Sequence, residues 1–251
     1  MNIQLIRHAT HIITFQGKKI LLDPMFSEKD TLAPVPNAPN QHLNNPLSEL
    51  TIEKGKLTQV DAIIVTHTHR DHFDDEAILQ LAKNLPLFCQ PEDEEYIKDK
   101  GFKHVVAIDQ EYIWEGIKFI RTPGKHGKGE LAEKMGPVSG FILKAEQEPV
   151  LYIIGDSVWY SEIEDIFRKY APQIAVAFAG EARFLVGEPI TMGLKDIDSM
   201  AASFPEATII VSHMESWNHC LLTRDEVLAY RKENGYESRI LVPENGEILV
   251  F

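Results

Sequence analysis

The chain has 251 residues, of which 44% are hydrophobic and 25% charged, and this balance excludes the disordered and fibrous classes of protein. Its 25 basic and 38 acidic side chains give a net charge of −13, which disfavours nucleic acids and anionic membrane surfaces as partners. Two cysteines cannot build a disulfide framework. The distribution of apolar residues along the chain indicates neither a signal peptide nor a membrane span, so we expect a cytoplasmic protein.

Short apolar segments predict strands, which dominate the first half of the chain and alternate with helices in the second half. The strands are predicted at residues 2–7, 11–15, 19–22, 61–66, 86–89, 105–108, 112–114, 117–121, 138–144, 150–154, 174–178, 208–211, 239–242 and 247–251. The helices are predicted at residues 74–84, 92–100, 161–170, 194–204 and 223–234. In the last helix, Thr223 is the expected N-cap and Glu226 takes the capping-box position.

Residues 25–58 show no regular periodicity and contain four prolines and several asparagines. A structureless stretch of this length inside a compact domain is usually functional. We therefore predict one domain over residues 1–251, in which residues 25–58 form a loop, with or without short helices, that covers an active site.

A cluster of metal-binding side chains follows the predicted strand at 61–66. His67, His69, Asp71 and His72 lie within six residues, in the pattern HxHxDH. Because His67 and His69 are two residues apart, an extended segment directs both to one side, where they can share one metal ion. After the chain turns, Asp71 and His72 face a neighbouring position that could hold a second ion. Imidazole and carboxylate ligands suit zinc, manganese and iron.

Three further candidates, His126, Asp156 and His213, each follow a predicted strand farther along the chain. One histidine after a strand is a weak signal, but the shared context strengthens the whole set. Two divalent ions about 3.5–4 Å apart can share and activate a hydroxide at neutral pH. The sequence therefore indicates a dinuclear site with zinc or manganese as the first choices and iron as the third.

This order of residues resembles the metallo-β-lactamase superfamily. The segments 152–159, 190–193 and 213–219 look like a bacterial branch of metal-dependent hydrolases similar to L-ascorbate-6-phosphate lactonase and N-acyl-phosphatidylethanolamine phospholipase D. The resemblance implies an α/β (α+β) fold, a four-layer αββα sandwich of two mixed β-sheets flanked by helices. It also implies three ligands for each ion and one bridging ligand: His67, His69 and His126 for the first ion, Asp71, His72 and His213 for the second, and Asp156 between them.

From these observations we expect a metal-dependent hydrolase that cleaves an ester or lactone bond of a small polar metabolite through a metal-bridging hydroxide. Asp71 would orient the hydroxide. His219 would orient the substrate or protonate the leaving group, unless it only packs beside Trp217. The alternatives are a small-molecule phosphodiesterase that uses the same site and a non-catalytic metal-binding domain. The expected partner is a small-molecule substrate, with no nucleic acid and no membrane, and the sequence does not indicate an oligomeric state.

Overall fold

A computed structural model describes all residues from Met1 to Phe251. It contains fourteen strands: β1 Asn2–Arg7, β2 Thr10–Phe15, β3 Lys18–Leu22, β4 Ala62–Ile64, β5 Pro86–Cys89, β6 His104–Ala107, β7 Glu111–Trp114, β8 Ile117–Pro123, β9 Ser139–Lys144, β10 Leu151–Ile153, β11 Ile174–Phe178, β12 Thr208–Ser212, β13 Ile240–Leu241 and β14 Ile248–Val250. The seven α-helices are α1 Lys54–Leu57, α2 Asp75–Gln80, α3 Glu94–Asp99, α4 Glu130–Met135, α5 Ser161–Tyr170, α6 Leu194–Ser203 and α7 Arg224–Glu233.

The strands form two sheets of seven strands each, with the orders β14-β1-β2-β3-β4-β5-β6 and β13-β12-β11-β10-β9-β8-β7. Both sheets are mixed. In the first, β1, β2 and β3 pair antiparallel, whereas β3, β4, β5 and β6 pair parallel. In the second, β10 to β13 are parallel and β7 to β10 are antiparallel. The expectation of two mixed sheets is confirmed.

Three apolar clusters define four layers. The central cluster joins the facing surfaces of the two sheets, with Phe88 of the first sheet stacked on Phe119 of the second at a centroid distance of 4.6 Å. A second cluster lies under α5, α6 and α7. A third lies under α2 and α3 on the opposite outer face. The order of layers is therefore helices, sheet, sheet, helices, as the resemblance implies.

The outer helices form because their apolar residues share one face. In α5, the buried residues are Ile163, Ile166 and Phe167, which have the i, i+3, i+4 spacing of an amphipathic helix. At the start of α7, the Glu226 amide donates to the Thr223 hydroxyl, and the Thr223 amide donates to the Glu226 carboxylate at 2.9 Å. The predicted capping box is confirmed.

Two helix predictions need correction. The helix predicted at 74–84 ends at Gln80, because Leu81 is extended, buries its side chain and starts the return of the chain to β5. The helix predicted at 92–100 begins with a 3₁₀ turn, Pro91–Asp93, before α3. The helix α4 was not predicted, since it is short and has no buried residue to produce an apolar pattern.

The segment 25–58 contains the short helix α1 and one bridge between Leu32 and Asn45, and is otherwise irregular. The fully buried Arg7 guanidinium holds two parts of this segment together by donating to the carbonyls of Met25 and Ser27 at its start and of Ser48 farther along. None of the helices combines the length and the apolar character needed to cross a membrane.

Candidate metal centre

Six strands end at one edge of the sandwich, and a polar side chain follows each of them. In the first sheet these are His8 after β1, Asp23 after β3 and His67 after β4; in the second they are His126 after β8, Asp156 after β10 and His213 after β12. All six side chains are buried. The convergence arises because these strands run in the same direction within their sheets, so their carboxyl ends meet at a common edge.

The structure brings the seven predicted ligands together in overlapping groups whose ligand atoms lie within 4.8 Å of one another. The first group is His67, His69 and His126, and the second is Asp71, His72 and His213 together with His8. Asp156 lies between the two groups: its Oδ2 is 3.5 Å from Nε2 of His126 and its Oδ1 is 3.3 Å from Nε2 of His213. The resemblance implies a bridging ligand at this place, and that role of Asp156 stays a prediction.

The nitrogen and oxygen atoms that converge here are of the kinds that bind divalent cations. Nε2 of His67 is 3.0 Å from Nδ1 of His69, and Nε2 of His72 is 3.1 Å from Nε2 of His213. Oδ1 of Asp156 is buried without a hydrogen-bond partner. Nitrogen lone pairs and a buried carboxylate oxygen that converge in this way match the ligands of zinc, manganese or iron.

The supporting contacts leave Nε2 free on several of these histidines. Nδ1–H of His72 donates to Oδ2 of Asp23 at 2.8 Å, and Nδ1–H of His126 donates to the carbonyl of Ile190 at 2.8 Å. Asp23 is itself fixed by the amide and hydroxyl of Thr66, each at 2.7 Å. These contacts orient the imidazole rings, and they occupy both oxygens of Asp23 with hydrogen bonds from Thr66 and His72.

The electrostatics favour ionised carboxylates. Burial alone would raise the pKa of Asp156, but His213 and His72 outweigh it and hold the pKa of this carboxyl well below its ordinary value. Burial and the neighbouring His72 and His69 lower the pKa of His67 well below its ordinary value, so its ring is neutral. For His72 and His213, neighbouring acidic groups led by Asp156 outweigh burial and raise the pKa, to about 10 for His213, so each of these two imidazoles must release a proton when it binds a metal ion.

The metal centre opens into a cavity of about 280 Å³. Its floor carries His69, Asp71, His126 and Asp156, and its walls are largely apolar, formed by Ala33, Pro34, Val35, Pro36, Met135, Phe184, Ile190 and Trp217. The wall residues 33–36 belong to the segment 25–58, which is consistent with the predicted covering loop. Phe184 lies in the segment 179–191, which the sequence also predicts as a wall of the pocket. The wall formed by Met135, the last residue of α4, was not predicted, because this helix has no apolar pattern.

His219 also lines this cavity. Its side chain is 6% exposed, and its Nδ1 has no hydrogen-bond partner. Burial lowers the pKa of His219 to about 4, so the ring is neutral at neutral pH. Its ring centroid is 6.3 Å from that of Trp217. The contact with Trp217 supports a packing role, and the place in the cavity wall supports contact with the substrate.

The position of His8 in the turn between the first two strands predicts a structural or supporting role rather than direct catalysis. Its Nε2 lies 3.1 Å from Oδ2 of Asp71, inside the second group. The available signal was its position directly after a strand, the same context as His126, Asp156 and His213. Its distance in sequence from those residues concealed the contact.

Residues 18–214 match the family described as a β-lactamase superfamily domain. The chain therefore belongs to this superfamily, and it is a metal-dependent hydrolase.

More particularly, it is 44% identical over 254 residues to the UPF0173 protein YddR of Bacillus subtilis, with all of both chains covered. It is also 25% identical to a UPF0173 metal-dependent hydrolase of Pyrococcus abyssi, with 99% of both covered. The crystal structure of an isothiocyanate hydrolase from Delia radicum gut bacteria superposes with a TM-score of 0.97 at 36% identity, covering 100% of this chain and 99% of the other.

Proposed function

We propose that this hydrolase binds two divalent ions, zinc or manganese in preference to iron, and adds water to an electrophilic carbon of a small substrate. The ligands would be those named above: His67, His69 and His126 for one ion, Asp71, His72 and His213 for the other, and Asp156 between them. When bound, such a pair of ions supplies an activated water at neutral pH and polarises the substrate.

The chain's own residues would bind and orient the reactants. Asp71 is buried and ionised at the cavity floor, where its carboxylate can hold the attacking water in line with the substrate carbon. His219 is neutral because burial lowers its pKa to about 4, so we propose that it orients the substrate through a hydrogen bond. A role as proton donor is less favoured, since the imidazolium that would donate is scarcely populated at neutral pH.

The apolar cavity wall is the observation that carries the proposal on substrate class. Val35, Met135, Phe184 and Trp217 surround the approach to Asp71, within a volume of about 280 Å³. Such a wall favours a small substrate with an apolar body rather than the polar metabolite expected from the sequence. An isothiocyanate has this character, because its electrophilic carbon lies between nitrogen and sulfur and it carries no charge. The relative that shares 36% of its residues is named an isothiocyanate hydrolase.

The balanced reaction would be the addition of water across the carbon–nitrogen bond, followed by cleavage of that bond. The oxygen of water joins the carbon, both of its protons pass to nitrogen, and the products are a primary amine and carbonyl sulfide. No oxidant or further reactant is needed.

A carboxylic ester or lactone is the second candidate, because it presents the same kind of electrophilic carbon to the same groups. The observation that favours it is Arg70, an exposed cation at the cavity rim that could meet an anionic group on a polar substrate. A small phosphodiester would use the same contact, with phosphorus as the electrophile.

The test compares three substrates at equal concentration with zinc- or manganese-loaded protein: an aryl isothiocyanate, an aryl ester of matched size and an aryl phosphodiester. We expect the highest kcat/KM for the isothiocyanate and no turnover after chelation. Phe184→Ala should raise the KM for the isothiocyanate by about tenfold, because it removes apolar contact from the wall. Leu185→Ala is the matched control, since Leu185 is the next residue, is exposed and does not line the cavity.

A higher kcat/KM for the ester or the phosphodiester would refute the isothiocyanate and favour that substrate class. Failure to hydrolyse any of the three with bound metal would contradict the proposed activity as a whole.

A further inference from the structure

His8 is a fully buried histidine in the two-residue turn His8–Ala9 that links β1 to β2. Its φ is +59°, in the left-handed region that most residues avoid and that histidine tolerates better than most. The amide of His213 donates to its carbonyl at 3.1 Å. The turn is therefore fixed to the loop that carries a proposed metal ligand, and the His8 ring has one defined location.

The ring of His8 lies between the metal centre on one side and Trp217 on the other. Its Nε2 lies 3.1 Å from Oδ2 of Asp71, and its centroid is 3.7 Å from that of the His213 ring, at an interplanar angle of 36°. On the other side, Trp217 lies at a centroid distance of 6.2 Å. With the ring in this position, Nε2 is the nitrogen that reaches the carboxylate.

The pattern of supporting contacts separates His8 from three of the five histidines proposed as ligands. His67, His72 and His126 each have an oxygen beside Nδ1, from Thr66, Asp23 and Ile190 respectively. That oxygen retains the proton on Nδ1 and leaves a lone pair on Nε2. His8 has the opposite arrangement, because its Nδ1 is buried without a partner and its acceptor lies at Nε2. A buried N–H without an acceptor costs about 1–3 kcal/mol, so the proton belongs on Nε2.

We propose that His8 is a positioning residue, which donates from Nε2–H to Asp71 and holds this carboxylate beside the second ion, rather than binding the ion itself. Oδ2 of Asp71 lies 3.5 Å from Nε2 of His213 and 3.7 Å from Nε2 of His72, so the oxygen that His8 holds is the one that faces the second group. This inference rests on the proposed metal centre and adds a residue to its support.

The positioning role predicts a difference between two substitutions of His8. In His8→Gln, an amide N–H can take the place of Nε2–H, whereas amide nitrogen is not a metal ligand. In His8→Leu, the volume is kept but the donor is lost. Neither replacement is favoured at positive φ, so the difference between them reports the side-chain hydrogen bond rather than the turn.

The experiment titrates the metal-free wild type and both variants with Zn²⁺ in competition with a chelator, and resolves the first and second ions by calorimetry. We expect His8→Leu to weaken the second ion by about 10–100-fold while the affinity of the first ion is maintained. His8→Gln should recover most of the lost affinity. In the zinc-loaded wild type, long-range ¹H–¹⁵N spectra should show His8 protonated at Nε2, a signature that a merely structural role would not produce.

The outcomes separate this inference from the proposed function. If the wild type binds two ions and His8→Leu binds them equally well, the positioning role is refuted and the metal centre stands. Equal loss in both variants, or a His8 ring protonated at Nδ1 and bound through Nε2, would make His8 a ligand and overturn the inference. A wild type that binds no second ion would instead contradict the proposed function.

Discussion

Asp23 lies behind the metal centre, and replacing it by asparagine tests whether hydrogen bonds to the ligands set the metal affinity. Its carboxylate is fully buried. Oδ1 accepts the amide of Thr66, and Oδ2 accepts both the hydroxyl of Thr66 and Nδ1–H of His72. In Asp23→Asn, one of the two oxygens becomes an NH₂ group that can only donate.

The two orientations of the asparagine amide are both unfavourable. If NH₂ takes the place of Oδ2, it faces Nδ1 of His72 and forces the proton to Nε2, the nitrogen proposed to bind the second ion. If NH₂ takes the place of Oδ1, it meets the donor amide of Thr66. One buried donor is left unpaired in either case, at a cost of about 1–3 kcal/mol. The first orientation is favoured, because the Thr66 hydroxyl beside Oδ2 can accept from NH₂ whereas the Thr66 amide beside Oδ1 cannot. Because 1.4 kcal/mol corresponds to tenfold in affinity, the second ion should bind about 5- to 150-fold more weakly.

The affinity is measured by Zn²⁺ titration of the metal-free protein against a chelator, with a melting curve to verify folding. Asp74→Asn is the matched control, because Asp74 is also a buried carboxylate but accepts only the backbone amides of Phe26, Ser27 and Ala77. We expect the control to lose stability and keep its metal affinity. A folded Asp23→Asn variant that binds the second ion as tightly as the wild type would refute the reasoning.

Two further predictions concern stability. Burial lowers the pKa of His11 from 6.5 to about 4. Between pH 6.5 and about pH 4, the unfolded chain therefore takes up a proton on this histidine and the folded chain does not. The protein therefore loses stability as the pH falls through this range. Urea denaturation should show that the free energy of unfolding of the metal-free wild type drops by about 3 kcal/mol more than that of His11→Phe. Equal pH dependence would contradict this assignment. In Gly180→Ala, the new Cβ would lie 2.1 Å from the carbonyl of His213, so denaturation should show a loss of about 1–3 kcal/mol, together with weaker binding of the second ion. Gly55→Ala, where no atom lies within 4 Å, should show neither effect, and a Gly180→Ala variant as stable as the wild type would exclude the clash.

Much of the fold could be predicted because buried strands of this architecture are continuous apolar runs. The strand β11 was predicted with its observed ends, Ile174–Phe178, and all five of its residues are buried. The helix α5 was likewise predicted over Ser161–Tyr170, since its apolar face is regular. The helix α4 has no buried residue and therefore no apolar pattern, so it was not predicted.

The candidate site could be predicted in part because its residues share a local context. His67, His126, Asp156 and His213 each follow a strand, and parallel strands bring such positions to one edge. The contact of His8 with Asp71 depends on the pairing of β1 with its neighbours, which no local pattern reports. The apolar walls of the cavity come from separate segments that meet only in the folded chain, so no local pattern in the sequence points to the apolar substrate proposed above.

Metal content per chain tests whether the protein holds two ions with Asp156 between them. The protein is loaded with Zn²⁺ or Mn²⁺, desalted and measured by elemental mass spectrometry, beside Asp156→Ala and the control His104→Ala, whose histidine is exposed. We expect about two ions in the wild type and the control and fewer in Asp156→Ala. No retained metal in the wild type, or two ions in folded Asp156→Ala, would contradict this expectation.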